Sequence, residues 1–102
     1  MKTIMVVDDE MDVLEKVRSC LENDDFEVIT ASNSREALEL MDKNKERDIG
    51  LILIDTPMPG SDKSALFSMK PKSKRSNSDF QDFLQKPFTK EELLDFVKSK
   101  MR

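Results

Sequence analysis

Two runs of aliphatic residues, each followed directly by carboxylates, constrain the fold of this chain more than any other feature. Residues 4–7 lead into Asp8 and Asp9, and residues 51–54 lead into Asp55. Four apolar residues without alternation are typical of strands buried on both faces of a parallel sheet. Ligand sites of such sheets lie beyond the carboxyl ends of the strands. Three carboxylates at that edge would repel one another unless a divalent cation such as Mg²⁺ bound them, so the sequence predicts a metal site suited to a phosphate ligand.

Length and composition narrow the class of protein. The chain has 102 residues, which predicts a single domain spanning residues 1–102. Its net charge of -4 argues against a general binder of nucleic acids or membrane surfaces. There is one cysteine, Cys20, and no apolar run approaches the roughly 20 residues of a membrane span. We therefore expect a soluble, cytoplasmic protein with neither a nucleic-acid nor a membrane partner.

Histidine is absent from the sequence. A chain without it cannot form a Ser-His-Asp or Cys-His nucleophile, and it lacks the imidazole that general acid–base enzymes favour. Any imidazole in the chemistry must come from a partner.

Helical and extended patterns alternate through the first half of the chain. Apolar spacing predicts a helix near residues 11–23, a strand at 26–30, a helix after the capping residues Ser32, Asn33 and Ser34, and a strand at 49–54. Residues 83–85 read as a last strand, and Thr89 and Glu92 have the spacing of a capping box before a final helix. This order predicts an α/β fold with a doubly wound parallel sheet and right-handed crossovers.

The middle of the chain departs from this alternation. Only nine residues separate Asp55 from Ala65, which begins a short β-like run, whereas a parallel crossover needs a dozen or more. Nine extended residues reach about 30 Å, enough to run back along a strand, so we expect a fourth strand without its helix. Residues 70–79 are polar and without periodicity, which predicts a flexible loop.

These residues resemble the receiver domain of two-component response regulators, a flavodoxin-like (CheY-like) family. In that family an acidic pair ends strand one, a phosphate-accepting aspartate ends strand three, a serine or threonine ends strand four and a lysine before a proline ends strand five. The matching positions here are Asp8-Asp9, Asp55, Ser68 and Lys86-Pro87.

The resemblance implies that a sensor histidine kinase transfers a phosphoryl group from a phosphohistidine to Asp55, with Lys86 and Ser68 holding phosphoryl oxygens. It implies Mg²⁺ as the cofactor. The implied ligands are three carboxylates and one backbone carbonyl: Asp9 and Asp55 directly, Asp8 through water, and the carbonyl of Pro57. Output would pass through contact with an unidentified downstream protein, since the chain is expected to be a stand-alone receiver.

The chain is shortened relative to this family. Asp55 and Lys86 are 31 positions apart, where the family has a helix, a strand and another helix. We expect helix three to be missing and helix four to be reduced or absent. The apolar surface left without cover would include Met58, Leu66, Phe67 and Met69, and would favour a homodimer or a docked partner.

Several plainer interpretations stay open. The acidic pair could simply cap the next helix, Lys86-Pro87 could be a turn, and Ser68 could be an ordinary buried strand hydroxyl. The main alternative function is a degenerate receiver that acts as a phosphorylation-independent interaction or dimerisation module. A metal-dependent phosphatase with Asp55 as nucleophile is weaker, because Pro57 stands where a second acid would be needed. We do not expect an enzyme.

Overall fold

The computed structural model describes residues 2–44, 47–58, 60, 62–70 and 82–101. Within these ranges the chain forms five strands and three helices. In chain order they are β1 (Thr3–Val7), α1 (Met11–Glu22), β2 (Glu27–Ala31), α2 (Ser34–Lys43), β3 (Ile49–Pro57), β4 (Ser64–Met69), β5 (Asp82–Gln85) and α3 (Lys90–Lys100). No helix in the described ranges has the length and apolar character needed to cross a membrane.

Two of the three helices begin at side-chain caps that the sequence predicts. The Asn33 side chain accepts a hydrogen bond from the Glu36 N–H at 2.8 Å and starts α2. At the start of α3, Thr89 and Glu92 form a full capping box, in which each side chain accepts the other residue's backbone N–H. Both caps satisfy donors that a helix N-terminus leaves without intrahelical partners.

The five strands form one mixed sheet in the order β2-β1-β3-β4-β5. Strand β1 runs parallel to both β2 and β3, whereas β4 runs antiparallel to both β3 and β5. The flavodoxin-like fold class is confirmed, and no helix lies between β3 and β4 among the described residues. The direction of β4 differs from the parallel fourth strand that the sequence analysis expected.

The short connection after β3 explains this reversal. Strands β3 and β4 pair as a hairpin, and beyond their last pair the Met58 N–H donates to the Lys63 carbonyl at 3.0 Å. Gly60 in the turn of this hairpin has a φ of 72°, a conformation that favours glycine. An antiparallel neighbour needs only such a turn, while a parallel one needs a crossover of about a dozen residues. Strand β5 reverses direction again, so its carboxyl end returns to the same edge as those of β1 and β3.

Two expectations for the region between β4 and β5 fall on residues that are not described. The predicted flexible loop at 70–79 lies outside the described residues apart from Lys70. The reduced or absent fourth helix would fall in the same gap, at 71–81.

Helices pack on both faces of the sheet and divide the core into two clusters. The first cluster lies between the sheet and helices α1 and α3, and its buried members are Ile4, Val6, Leu14, Val17, Cys20, Leu21, Leu51, Leu53, Leu66, Phe88, Leu93 and Val97. The second lies under α2 and comprises Met5, Val7, Ala31, Ala37, Ile49 and Ile52. Strands β1 and β3 contribute to both, which is why their sequences are apolar without alternation.

The sequence analysis expected Leu66 to be part of an exposed apolar surface, and this expectation is wrong. Leu66 is fully buried, because the register of β4 places it opposite Asp55 and on the face that α1 and α3 cover. Met58, Phe67 and Met69 are partly buried. Phe83, which pairs with Phe67 on the opposite face, is 44% exposed.

Candidate functional site

The carboxyl ends of β1 and β3 bring two of the predicted aspartates to one edge of the sheet. Val7 pairs with Ile54 in parallel register, so Asp8, which directly follows β1, and Asp55, near the end of β3, lie at the same level on neighbouring strands. The Asp8 side chain is fully buried, and that of Asp55 is 17% exposed. Two neighbouring carboxylates that are largely removed from water need a cation.

Lys86 supplies that cation. Its ammonium lies 2.8 Å from Oδ2 of Asp8, to which it donates a hydrogen bond, and 2.9 Å from Oδ1 of Asp55. The residue follows β5, and its N–H donates to the Ser64 carbonyl at 3.2 Å, which continues the β4–β5 ladder to this edge. The structure therefore brings together Asp8, Asp55 and Lys86, which lie far apart in the sequence.

The negative charges of Asp8 and Asp55 stabilise the protonated form of Lys86. Burial disfavours the charged ammonium of Lys86 and is the largest single influence on its pKa. Hydrogen bonding and Coulombic attraction from Asp8 and Asp55 together outweigh it, so the pKa of Lys86 is raised above its ordinary value of 10.5. Lys86 is accordingly a permanent cation at neutral pH.

The Asp55 carboxylate retains acceptor capacity. Its Oδ1 atom is buried and is contacted by the Lys86 ammonium at 2.9 Å, with poorer alignment than the hydrogen bond that Asp8 receives from the same group. A carboxylate oxygen has two lone pairs and can accept from more than one donor. This oxygen is therefore suited to a further electropositive partner, such as a metal ion or an incoming phosphoryl group.

Asp9 and Glu10 extend the acidic edge next to Asp8. One carboxylate oxygen from each of the three residues lies within 4.8 Å of the others, and Asp9 and Glu10 are exposed. The Glu10 N–H donates to Oδ1 of Asp8 at 3.0 Å and fixes the orientation of that carboxylate. Glu10 was missed by the sequence analysis, although it directly follows the acidic pair. This set of oxygens fits the preference of Mg²⁺ for hard oxygen ligands.

The register of the β3–β4 ladder indicates the direction of the Pro57 backbone carbonyl. In an antiparallel ladder, successive residues direct their backbone groups alternately toward and away from the partner strand. The Met58 N–H bonds across to Lys63, and Pro57 pairs with Ser64, so Pro57 directs its carbonyl away from β4 and toward the side where β1 lies. Proline suits this position because the ladder requires no N–H from it.

Ser68 is not brought to this group. It pairs with Leu53, two residues before Asp55, and its hydroxyl donates to the Asp82 carbonyl at 3.2 Å. Because β4 is reversed, the residue at the acidic edge is Ser64, which begins the strand and pairs with Pro57. Side chains two residues apart share a face, so Ser64 lies on the same face as Asp55.

Comparison with known proteins agrees with this geometry. The family model of the response regulator receiver domain matches residues 4–73, more than half of the chain. Comparisons with curated proteins and with solved structures gave no match. The family match ends before Lys86. The position of Lys86 beside Asp55 therefore supports the receiver family independently of the sequence match. The sequence match and the fold together show that this chain belongs to the response regulator receiver domain family.

Proposed function

We propose that the chain accepts a phosphoryl group on Asp55 from the phosphohistidine of a sensor histidine kinase and signals through protein contacts. In this step a carboxylate oxygen of Asp55 forms a bond to phosphorus, the phosphorus–nitrogen bond breaks, and its electron pair stays with the imidazole of the kinase. The family match supports a role in two-component signalling. The chain itself changes state and is not an enzyme in this proposal.

The observation that carries the proposal is the position of Lys86. Phosphoryl transfer asks the protein mainly for positioning and for stabilisation of the charge on the migrating group. An ammonium 2.9 Å from Oδ1 of Asp55 can contact a phosphoryl oxygen after only a small displacement. The absence of histidine from the sequence fits a chain that receives the group from a partner.

Mg²⁺ belongs to the proposal as the cofactor. The residues that would hold it are Asp9 and Asp55 directly, Asp8 through water, and the carbonyl of Pro57, with Glu10 as an additional candidate. The grouped oxygens of Asp8, Asp9 and Glu10 support the part of this assignment that involves these three residues. A bound Mg²⁺ would supply positive charge for the phosphoryl oxygens.

We further propose that the site hydroxyl comes from Ser64 and not from Ser68. The strand register supports this change, since Ser64 shares an edge and a face with Asp55, whereas the Ser68 hydroxyl already donates to a backbone carbonyl. A cytoplasmic location also belongs to the proposal, because the ATP that charges a histidine kinase is found there.

The proposal is tested by the intact mass of the chain after incubation with acetyl phosphate and Mg²⁺. We expect a gain of one phosphoryl group that requires Mg²⁺ and is lost in Asp55→Asn. No gain in the wild-type chain, with the fold verified by circular dichroism, would contradict the proposal and favour the degenerate receiver.

The second candidate is a phosphorylation-independent interaction or dimerisation module, and the aromatic pair on the α2 side of the sheet favours it. The rings of Phe67 and Phe83 are 5.4 Å apart between centroids, and Phe83 is 44% exposed. We propose that a second copy of the chain contacts this face. Sedimentation velocity would then show a dimer in the wild type and a monomer in Phe83→Ser; identical sedimentation of the two proteins would exclude this contact.

A further inference from the structure

Lys16 connects helix α1 to the segment that carries Lys86. Its ammonium donates to the Phe88 carbonyl at 3.3 Å and lies 5.4 Å from the centroid of the Phe88 ring. These are two different interactions, a charge-assisted hydrogen bond to the backbone and a cation–π contact with the side chain. Both are made to a residue only two positions after Lys86.

Phe88 anchors the segment between β5 and α3 in the core. Its ring is buried in the first core cluster, and the next residue, Thr89, begins the capping box of α3. On the other side, the Lys86 N–H is held by the Ser64 carbonyl. The segment is therefore attached at both ends, and Lys16 adds a polar attachment from α1 to the apolar packing of the Phe88 ring.

We propose that Lys16 is a positioning residue that keeps the Lys86 ammonium in place between Asp8 and Asp55. The Lys86 side chain reaches both carboxylates at 2.8 and 2.9 Å, so a small shift of its backbone would lengthen at least one of these contacts. Charge stabilisation in a site of this kind depends strongly on such distances. The inference rests on the proposed phosphorylation only where it predicts a change in phosphorylation kinetics.

The test compares Lys16→Met, which keeps an unbranched apolar stem over Phe88 but removes the donor and the charge, with Lys16→Arg, which keeps both. Lys43→Met, on the opposite face of the sheet, controls for the loss of one positive charge. The first readout is nitrogen-15 NMR of the Lys86 ammonium, assigned with Lys86→Arg. We expect hydrogen exchange of this group to become about threefold to tenfold faster in Lys16→Met and to stay near the wild-type rate in the other two variants.

The second readout is phosphorylation by acetyl phosphate, followed as a function of its concentration. We expect the half-saturating concentration to rise about threefold to tenfold in Lys16→Met, with recovery in Lys16→Arg. If the wild-type chain takes up no phosphoryl group, the proposed function fails while the NMR comparison still decides the role of Lys16. Unchanged exchange of the Lys86 ammonium in Lys16→Met would overturn the inference.

Discussion

Removal of the Lys86 ammonium is expected to destabilise the metal-free fold by about 3 kcal/mol. Breaking a buried ion pair on one side costs about 3–5 kcal/mol, because a charge is left without a partner. The lower end applies here, since Lys86 and Asp55 keep 15% and 17% of their side chains exposed and Asp8 still accepts the Glu10 N–H. A loss of this size is a large fraction of the usual 5–15 kcal/mol of a folded domain.

Urea denaturation of Lys86→Met in EDTA measures this loss. The matched control is Lys98→Met, because Lys98 makes an ion pair of similar length with Asp24, at 3.0 Å, but both side chains are more exposed, at 52% and 34%. We expect the control to lose less than about 1 kcal/mol. Adding Asp8→Asn to Lys86→Met should recover part of the loss, since the uncompensated buried charge is then removed.

A loss in Lys86→Met no larger than that of the exposed control would refute this reasoning. It would mean that Asp8 and Asp55 become neutral or hydrated at little cost and that Lys86 is not needed to balance them. Addition of Mg²⁺ provides a second comparison. The variant should gain more stability from Mg²⁺ than the wild type, because the ion would then meet carboxylates without a competing ammonium.

Three further outcomes follow from the same structure. Ser64→Ala should slow phosphorylation by acetyl phosphate without changing the free energy of unfolding. Ser68→Ala should leave the phosphorylation rate unchanged and lower the free energy of unfolding in urea by about 1 kcal/mol. The reverse pattern would return Ser68 to the site. The pKa of Lys86 is raised in the folded state, so its stabilising effect is fully present below pH 10.5 and is lost as the pH rises through the pKa of the folded protein. Wild-type stability should therefore fall toward that of Lys86→Met in strong alkali, whereas Lys86→Arg should keep its stability. Thr89→Ala removes half of the capping box and should lower the free energy of unfolding by about 1 kcal/mol, while Thr89→Ser should lose much less.

The parts of the fold that were predictable from the sequence are those with local signals. Unbroken apolar runs identify β1 and β3 as strands buried on both faces, and the carboxylates that follow them define the acidic edge. The caps at Asn33 and Thr89 place the starts of two helices. Lys86 was also predicted correctly to lie at the edge, because β5 does run in the same direction as β1 and β3.

The direction of β4 was not predictable from its own residues. A short apolar run reads the same in either direction, so neither the periodicity of Ser64–Met69 nor its composition distinguishes a parallel strand from an antiparallel one. The useful signal was the length of the connection before it, which excludes a crossover helix and allows a hairpin. Gly60 within that connection adds to the same signal. The misplacement of Ser68 follows from this undetermined direction. The burial of Leu66 follows instead from alternation along the strand, since Leu66 and Phe67 are adjacent and face opposite sides of the sheet.

The reversal of β4 has a limited effect on the site because a second reversal follows it. Asp8, Asp55 and Lys86 need only β1, β3 and β5 to end at the same edge, and two successive antiparallel pairings preserve that condition. Without a crossover helix between β3 and β4, only the side chain that β4 places at this edge changes. That side chain is a serine hydroxyl, and the reversed strand places Ser64 there in place of Ser68. A receiver can in this way become shorter by exchanging a crossover for a hairpin while its acidic group and lysine stay together.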